Sequence, residues 1–284
     1  MKKAYFVCLL LLSFSICSGG LVQHNSREIF DKMMLAIEHT KTMKYTTRLY
    51  ERINGRLGSA ENNVKLSVDP FKAYIYLVAP TKGIEILYID GENGNKALVN
   101  PNAFPYVSVY LDPNGSIMRK NQRHTILNLG FTYFAEIAKE AKHKAGKNFN
   151  QVFLYKGSIK WENYDCFVMI IDFPEFTYVP YTVKPNETVL TIAKKLKVSE
   201  YMILEINHPK IKDYYDVRPG QIIKVPNAFA KKTTLYIDKA TYLPVMQAMF
   251  DEKGLFEKYE FRNLIANPKI PDEEFSKDYP GYDF

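Results

Sequence analysis

Apolar positions along this chain fall into two patterns. Ile29, Phe30, Met33, Met34 and Ile37 recur at helical spacing, and Asn25 with Glu28 resembles a capping pair, so a helix is predicted there. Strand-like runs follow at 45–53, 64–68, 73–78, 84–89 and 96–99, with turn signals at Asp90-Gly91 and Asn114-Gly115. This succession argues an antiparallel meander over βαβ units. Residues 101–118 read as a long connection ending in the Asp112-Pro-Asn-Gly turn. A second helix is expected over 125–144. Phe131, Phe134, Ile137, Ala138 and Ala141 share its apolar face, and Gly146 supplies a stop. Strands resume at 151–156 and 164–173.

Residues 180–226 change the period. Tyr181 and Val183 alternate as a short strand, and Asn186-Glu187-Thr188 offers capping groups. Val189, Ile192, Ala193 and Leu196 then share one helix face. Ser199 is a good N-cap for a second helix, with Val198 able to staple to Ile203. Asn207 ends that helix and Pro209 follows. Arg218-Pro-Gly-Gln221 suits a type II turn before the closing strand 222–225. The segment resembles a LysM module, a βααβ unit that recognises N-acetylglucosamine-containing glycans such as peptidoglycan. It departs from the family at Asn186, where glycine is usual; Asn also tolerates a left-handed backbone. The resemblance implies a glycan groove between two loops, here Asn186, Glu187 and Thr188 and then Asn207, His208, Pro209 and Lys210.

Beyond that segment come a strand with Ile237-Asp238, then Leu243-Pro244, a hairpin around Asp251-Glu-Lys-Gly254, a strand ending in Phe261-Arg-Asn263, Asn267-Pro268 and a late Phe275. These words are similar to the last strands of the LolA-like periplasmic lipoprotein carriers, and the earlier order of elements agrees. The resemblance implies an α+β fold: an antiparallel half-barrel with covering helices, interrupted by the βααβ module. Expected boundaries are 20–178 and 229–284 for the half-barrel and 179–228 for the module, with short joints at 176–180 and 227–232. It also implies an acyl-chain cavity facing the helices, with Phe30, Met33, Met34, Ile37, Phe131, Phe134, Ile137 and Ala138 as its lining. Methionine suits a surface that adapts to varied ligands.

The N-terminus reads as an export signal over residues 1–19: Lys2 and Lys3, an apolar run over 4–16, and Cys17-Ser-Gly before a cut ahead of Gly20. Acylation at Cys17 is the alternative, and Ile16 fits that site badly. Removing the signal lowers the net charge from +7 to +5. That mild basicity is far from a nucleic-acid reader. Cys166 is left as a lone thiol in a strand-like run, a structural residue on burial habits. No later stretch is apolar enough to span a bilayer.

Catalytic signatures are missing. There is no HExxH, Gly-x-Ser-x-Gly, phosphate loop or CxxC pair, and the five histidines have no metal-ligand spacing. The densest basic cluster, Arg119 to His124, reads as a solvated loop or as a contact for lipid phosphates or wall carboxylates. The sequence therefore leads us to expect an exported, envelope-associated and non-enzymatic protein with no cofactor or metal. Its expected ligands are peptidoglycan and an acyl chain or lipoprotein. Two readings compete with it: a wall hydrolase with an unfamiliar catalytic half, and a wall-bound scaffold without a lipid cavity.

Overall fold

The computed structural model describes residues 25–284. The export signal, its cut and Cys17 lie outside the described residues. Helix α1 (Ser26–His39) starts where Asn25 Oδ1 accepts from the Arg27 N–H at 2.9 Å, and it buries Ile29, Phe30, Met33 and Ile37. A meander follows: β1 (Thr42–Ile53), β2 (Arg56–Val68), β3 (Phe71–Ala79), β4 (Glu85–Ile89), β5 (Ala97–Asn100) and β6 (Val109–Leu111). Then come α2 (Thr132–Ala145), a short turn of helix α3 (Phe149–Val152), β7 (Phe153–Trp161) and β8 (Tyr164–Asp172).

The inserted module is β9 (Tyr178–Thr182), α4 (Val189–Leu196), α5 (Glu200–Asn207) and β10 (Ile222–Pro226). Afterwards β11 (Lys232–Asp238), β12 (Pro244–Asp251) and β13 (Gly254–Ala266) complete the main sheet. That sheet is antiparallel and open, in the order β6-β5-β4-β3-β2-β1-β13-β12-β11-β8-β7. The expected α+β class, with a covered half-barrel and an inserted βααβ unit, is the architecture adopted. The chain leaves the sheet at Asp172 and re-enters opposite it at Lys232, so the module sits between two adjacent strands.

Three differences from the sequence reading have physical causes. β2 begins at Arg56, well before its apolar stretch, because every residue from Arg56 to Ser67 pairs with β1 across a tight hairpin. Asn54 and Gly55 turn that hairpin with φ of 51° and 76°, the two left-handed positions a type I′ turn requires. The second helix begins only at Thr132. Before it, a 3₁₀ turn over Ile126–Asn128 leads into Gly130, where φ is 73° and a Cβ would stand 2.6 Å from Met43 Cε. Residues 149–152 form a helical turn, so β7 runs from Phe153 instead of starting at 151.

The helices cover one face of the sheet. Phe30, Phe149 and Phe153 pack edge-on or stacked within 5.7 Å of one another, beneath Met33 and Met43. The C-terminal tail covers part of the other face: Tyr282 stacks on Tyr74 at 3.7 Å, with Phe275 beside Leu87 and Leu98. Cys166 is fully buried in β8, and burial pushes its thiol up to about 12.

The module has its own core of Val183, Val189, Ile192, Ala193, Val198, Ile203, Ile211, Ile223 and Val225. Thr188 and Ser199 cap its two helices through their side chains, as their positions predict. Its joint is closed by Asn227, whose Oδ1 accepts from Thr177 N–H and whose Nδ2 donates to the Glu175 carbonyl. It is also docked. Met202 of α5 belongs to the main core, and the Tyr201 hydroxyl accepts from Asn54 N–H at 2.8 Å.

Candidate functional site

A cavity of about 830 Å³ lies between the sheet and α2. This is within the usual range of roughly 300–1,000 Å³ for ligand pockets. Alternation along β1 builds one wall, since Tyr45, Thr47, Leu49, Glu51 and Ile53 all point the same way. Their partners continue it: Asn62 and Ala60 on β2, Phe261, Tyr259 and Glu257 on β13, Gln247 and Met249 on β12. Helix α2 contributes Tyr133, Phe134 and Ile137, and Phe229 comes from the segment after the module. The lining is apolar at Ile75, Leu77, Ile86, Leu129, Phe134 and Ile137, and polar around Glu51, His124 and Glu257.

Of the eight residues expected to line a cavity, Phe134 and Ile137 do so. Ala138 faces a separate recess of about 30 Å³ together with those two. Phe30, Met33, Ile37 and Phe131 are buried in the closed core instead, and Met34 packs against it. The helical period identified the inward faces correctly, but α1 lies over a filled part of the sheet. The residues that line the cavity are mostly strand residues of mixed polarity, which form no apolar stripe in the sequence.

The basic cluster 119–124 is divided: Lys120, Asn121 and Gln122 are exposed, while Arg119 and Arg123 are buried. Arg123 is fully buried. Its Nε donates to Glu257 Oε1 at 2.7 Å, its Nη1 to the Arg52 carbonyl at 3.0 Å and its Nη2 to Ser199 Oγ at 3.3 Å. Its backbone N–H donates to Glu51 Oε2 at 3.0 Å, and the Tyr259 hydroxyl donates to the other oxygen of Glu51 at 2.9 Å. His124 Nε2 pairs with Glu257 Oε2 at 3.0 Å. Burial alone would lower the His124 pKa, but Glu257 prevails and raises it to about 9. Burial would raise Glu257; His124 and Arg123 together hold it below the usual carboxylate range. Glu51 is raised, chiefly by burial.

The same loop fastens the module. Arg119 Nη2 donates to Glu200 at 2.7 Å, and its guanidinium lies 4.3 Å from the centre of the Tyr214 ring. Arg123 lies between the rings of Tyr201 and Phe256 at 4.6 and 4.8 Å. One cluster therefore joins the polar end of the cavity to the N-terminus of α5. A run of two arginines, a lysine and a histidine looked superficial in sequence because its buried acidic partners lie far along the chain.

In the module, the seven expected glycan residues divide by what they already hold. Glu187 is occupied by the Tyr181 hydroxyl, the Lys184 N–H and the Lys195 ammonium. Burial is the largest single influence and would raise its pKa, but the Lys184 N–H, the Tyr181 hydroxyl and Lys195 together outweigh it and hold the carboxyl at about 2. Thr188 forms a capping box with Thr191. Asn207 donates to the carbonyls of Ile203 and Lys224 and accepts from Lys224 N–H, latching α5 to β10. Asn186, in a left-handed conformation with φ 64°, and His208, Pro209 and Lys210 are exposed. Among the described residues no group of three or more His, Cys, Asp or Glu side chains could hold a metal ion, and no helix is long and apolar enough to cross a membrane.

Comparison with known proteins adds to this geometry. The LysM domain family model matches residues 181–226, so the βααβ unit is a LysM module. No curated protein matches the chain. Several solved structures are similar in outline. They include the Mycobacterium tuberculosis lipoprotein LppX (TM-score 0.40, 10% identity, 87% of this chain and 99% of that one). Another is a putative outer membrane lipoprotein-sorting protein domain from Vibrio parahaemolyticus (TM-score 0.35, 11% identity, 89% and 98%). A third is the MucA/MucB complex of Pseudomonas aeruginosa (TM-score 0.41, 11% identity, 89% of this chain), of which the chain spans 61%. The model of the family described as "Protein of unknown function (DUF1571)" matches residues 40–181, from the start of the meander to the first strand of the module. Those residues are half of the chain, and the chain therefore belongs to the DUF1571 family.

Proposed function

We propose that this chain is a non-enzymatic binding protein of the cell envelope, exported to the periplasm, which holds peptidoglycan through its LysM module and an acyl lipid or lipoprotein chain in the cavity of its half-barrel. The observation that carries the reading is the 830 Å³ cavity with a largely apolar lining, set beside a LysM module and joined to it by the Arg119–Arg123 loop. Burying an acyl chain there offers about 0.8 kcal/mol per methylene. The glycan contacts fall to the exposed positions Asn186, His208 and Lys210 and to the backbone of the two loops, while Glu187, Thr188 and Asn207 shape those loops from within.

The test uses the chain from residue 20 onward. It should be pulled down by purified sacculi, and it should take up a neutral fluorescent lipid probe. Replacing residues 180–226 by a short linker should abolish the first property. Pulldown that survives the replacement would remove the module from the glycan-binding role, and absence of probe uptake would favour the scaffold reading.

A further inference from the structure

Several buried polar atoms of the cavity wall have no hydrogen-bond partner: Thr47 Oγ1, Asn62 Oδ1, His124 Nδ1 and Gln247 Nε2. Thr47 and Gln247 are more than nine-tenths buried. Stranding such groups is unfavourable by about 1–3 kcal/mol each, so a cluster of them facing one space calls for a polar occupant. They are not gathered at one point. Thr47 on β1 stands directly opposite Asn62 on β2, and Gln247 on β12, two strands over from β1, stands opposite Tyr259 on β13. At about 4.8 Å between strands, the two loci are roughly 10 Å apart. A single terminal head group could satisfy one of them; oxygens spread along a linkage could satisfy both.

The charges nearby define the kind of oxygen. Arg123 and His124 both pair with Glu257, and the Arg123 backbone N–H is given to Glu51, so two basic and two acidic side chains are linked in one cluster. The buried end therefore offers an ionised head no basic side chain that is not already paired with a carboxylate. Arg56 and Lys120 also line the space, but they are exposed at its rim. Gln247 Nε2 is a donor, and Thr47 Oγ1 can donate. Resting on the lipid reading above, we infer that Gln247 and Thr47 form a specificity subsite for the uncharged carbonyl oxygens of an ester-linked lipid.

The experiment compares two ligands that differ in those carbonyls alone. Displacement of the neutral probe N-phenyl-1-naphthylamine is measured with 1,2-dioctanoylglycerol and with its diether analogue, 1,2-dioctylglycerol. The wild-type chain should bind the diester about tenfold more tightly. Gln247→Leu and Thr47→Val should each erode that preference, retain probe uptake and melt at or above the wild-type temperature, since each removes a stranded buried group. Equal affinity for diester and diether in the wild type, or an undiminished preference in both variants, would overturn the subsite while leaving the lipid cavity standing. Failure of the wild type to take up the probe at all would remove the cavity reading and the subsite with it.

Discussion

Glu51 on β1 and Glu257 on β13 are register partners, two buried carboxylates placed directly opposite each other in the sheet. Like charges so placed repel, and Arg123 is what reconciles them, giving its backbone N–H to one and its guanidinium to the other. Replacing Arg123 by Met should destabilise the chain by about 3–5 kcal/mol, because it takes the guanidinium from buried Glu257 and leaves that carboxylate with His124 alone. Urea denaturation measures this. Adding Glu257→Gln to that variant should recover part of the loss. No recovery would mean that Arg123 acts by packing against Tyr201 and Phe256, not by charge.

His124 gives the stability a pH dependence. Its folded pKa of about 9 lies above the unfolded value of 6.5. The stabilisation is thus complete below pH 6.5 and is lost as pH rises through 9, on the order of 3 kcal/mol in all. Denaturation midpoints between pH 6 and pH 9.5 should fall for the wild type and stay nearly flat for His124→Gln. Parallel curves would mean that another group titrates.

The module is docked, and its removal should show it. Replacing residues 180–226 by a linker rejoins β8 and β11 as a hairpin at Asp172 and Lys232. It also takes Ser199, Glu200, Tyr201 and Met202 away from the core and from Arg119 and Arg123. The shortened chain should still melt cooperatively, but at a lower temperature, and Arg119→Met in that background should regain part of the loss. Absence of any cooperative transition would show that the main sheet cannot stand without α5.

Within the module, Asn207 and His208 should behave differently although they are neighbours. Asn207→Ala removes two hydrogen bonds between α5 and β10 and a third within α5, and should destabilise the chain by about 1–3 kcal/mol. His208→Ala, at an exposed position, should weaken sacculus pulldown without shifting the melt. If Asn207→Ala leaves the melt unchanged, the latch is not structural.

Much of the fold was legible in the chain. The period-3.6 faces of α1 and α2, the caps at Thr188 and Ser199, and the module's turn at Gly220 follow from local chemistry, and the insertion point follows from the words on either side of it. The start of β2 was not legible, because Gly58, Ser59, Glu61 and Asn62 have weak strand propensity and are held by pairing with β1. Yet Asn54-Gly55 is a hairpin signal that could have extended it. The cavity was only half legible. Apolar stripes reveal what is buried but not whether the space beneath is filled, and Met33 and Met43 fill theirs. The polar end was hidden for a different reason: Glu51, Arg123, Ser199 and Glu257 meet only through pairings some 70 to 200 residues apart in sequence.

Whether the cavity holds lipid decides the function of the half-barrel. Mass spectrometry of lipids extracted from the purified chain, with probe uptake by wild type and by Ile137→Lys, measures this. Ile137 lines the cavity from α2, and a lysine there would place a charge in its apolar part. The account predicts co-purified acyl lipid and saturable uptake in the wild type, with uptake sharply reduced in the variant while sacculus pulldown is kept. A wild-type chain that carries no lipid, and takes up no probe at any concentration below the probe's solubility limit, would contradict it.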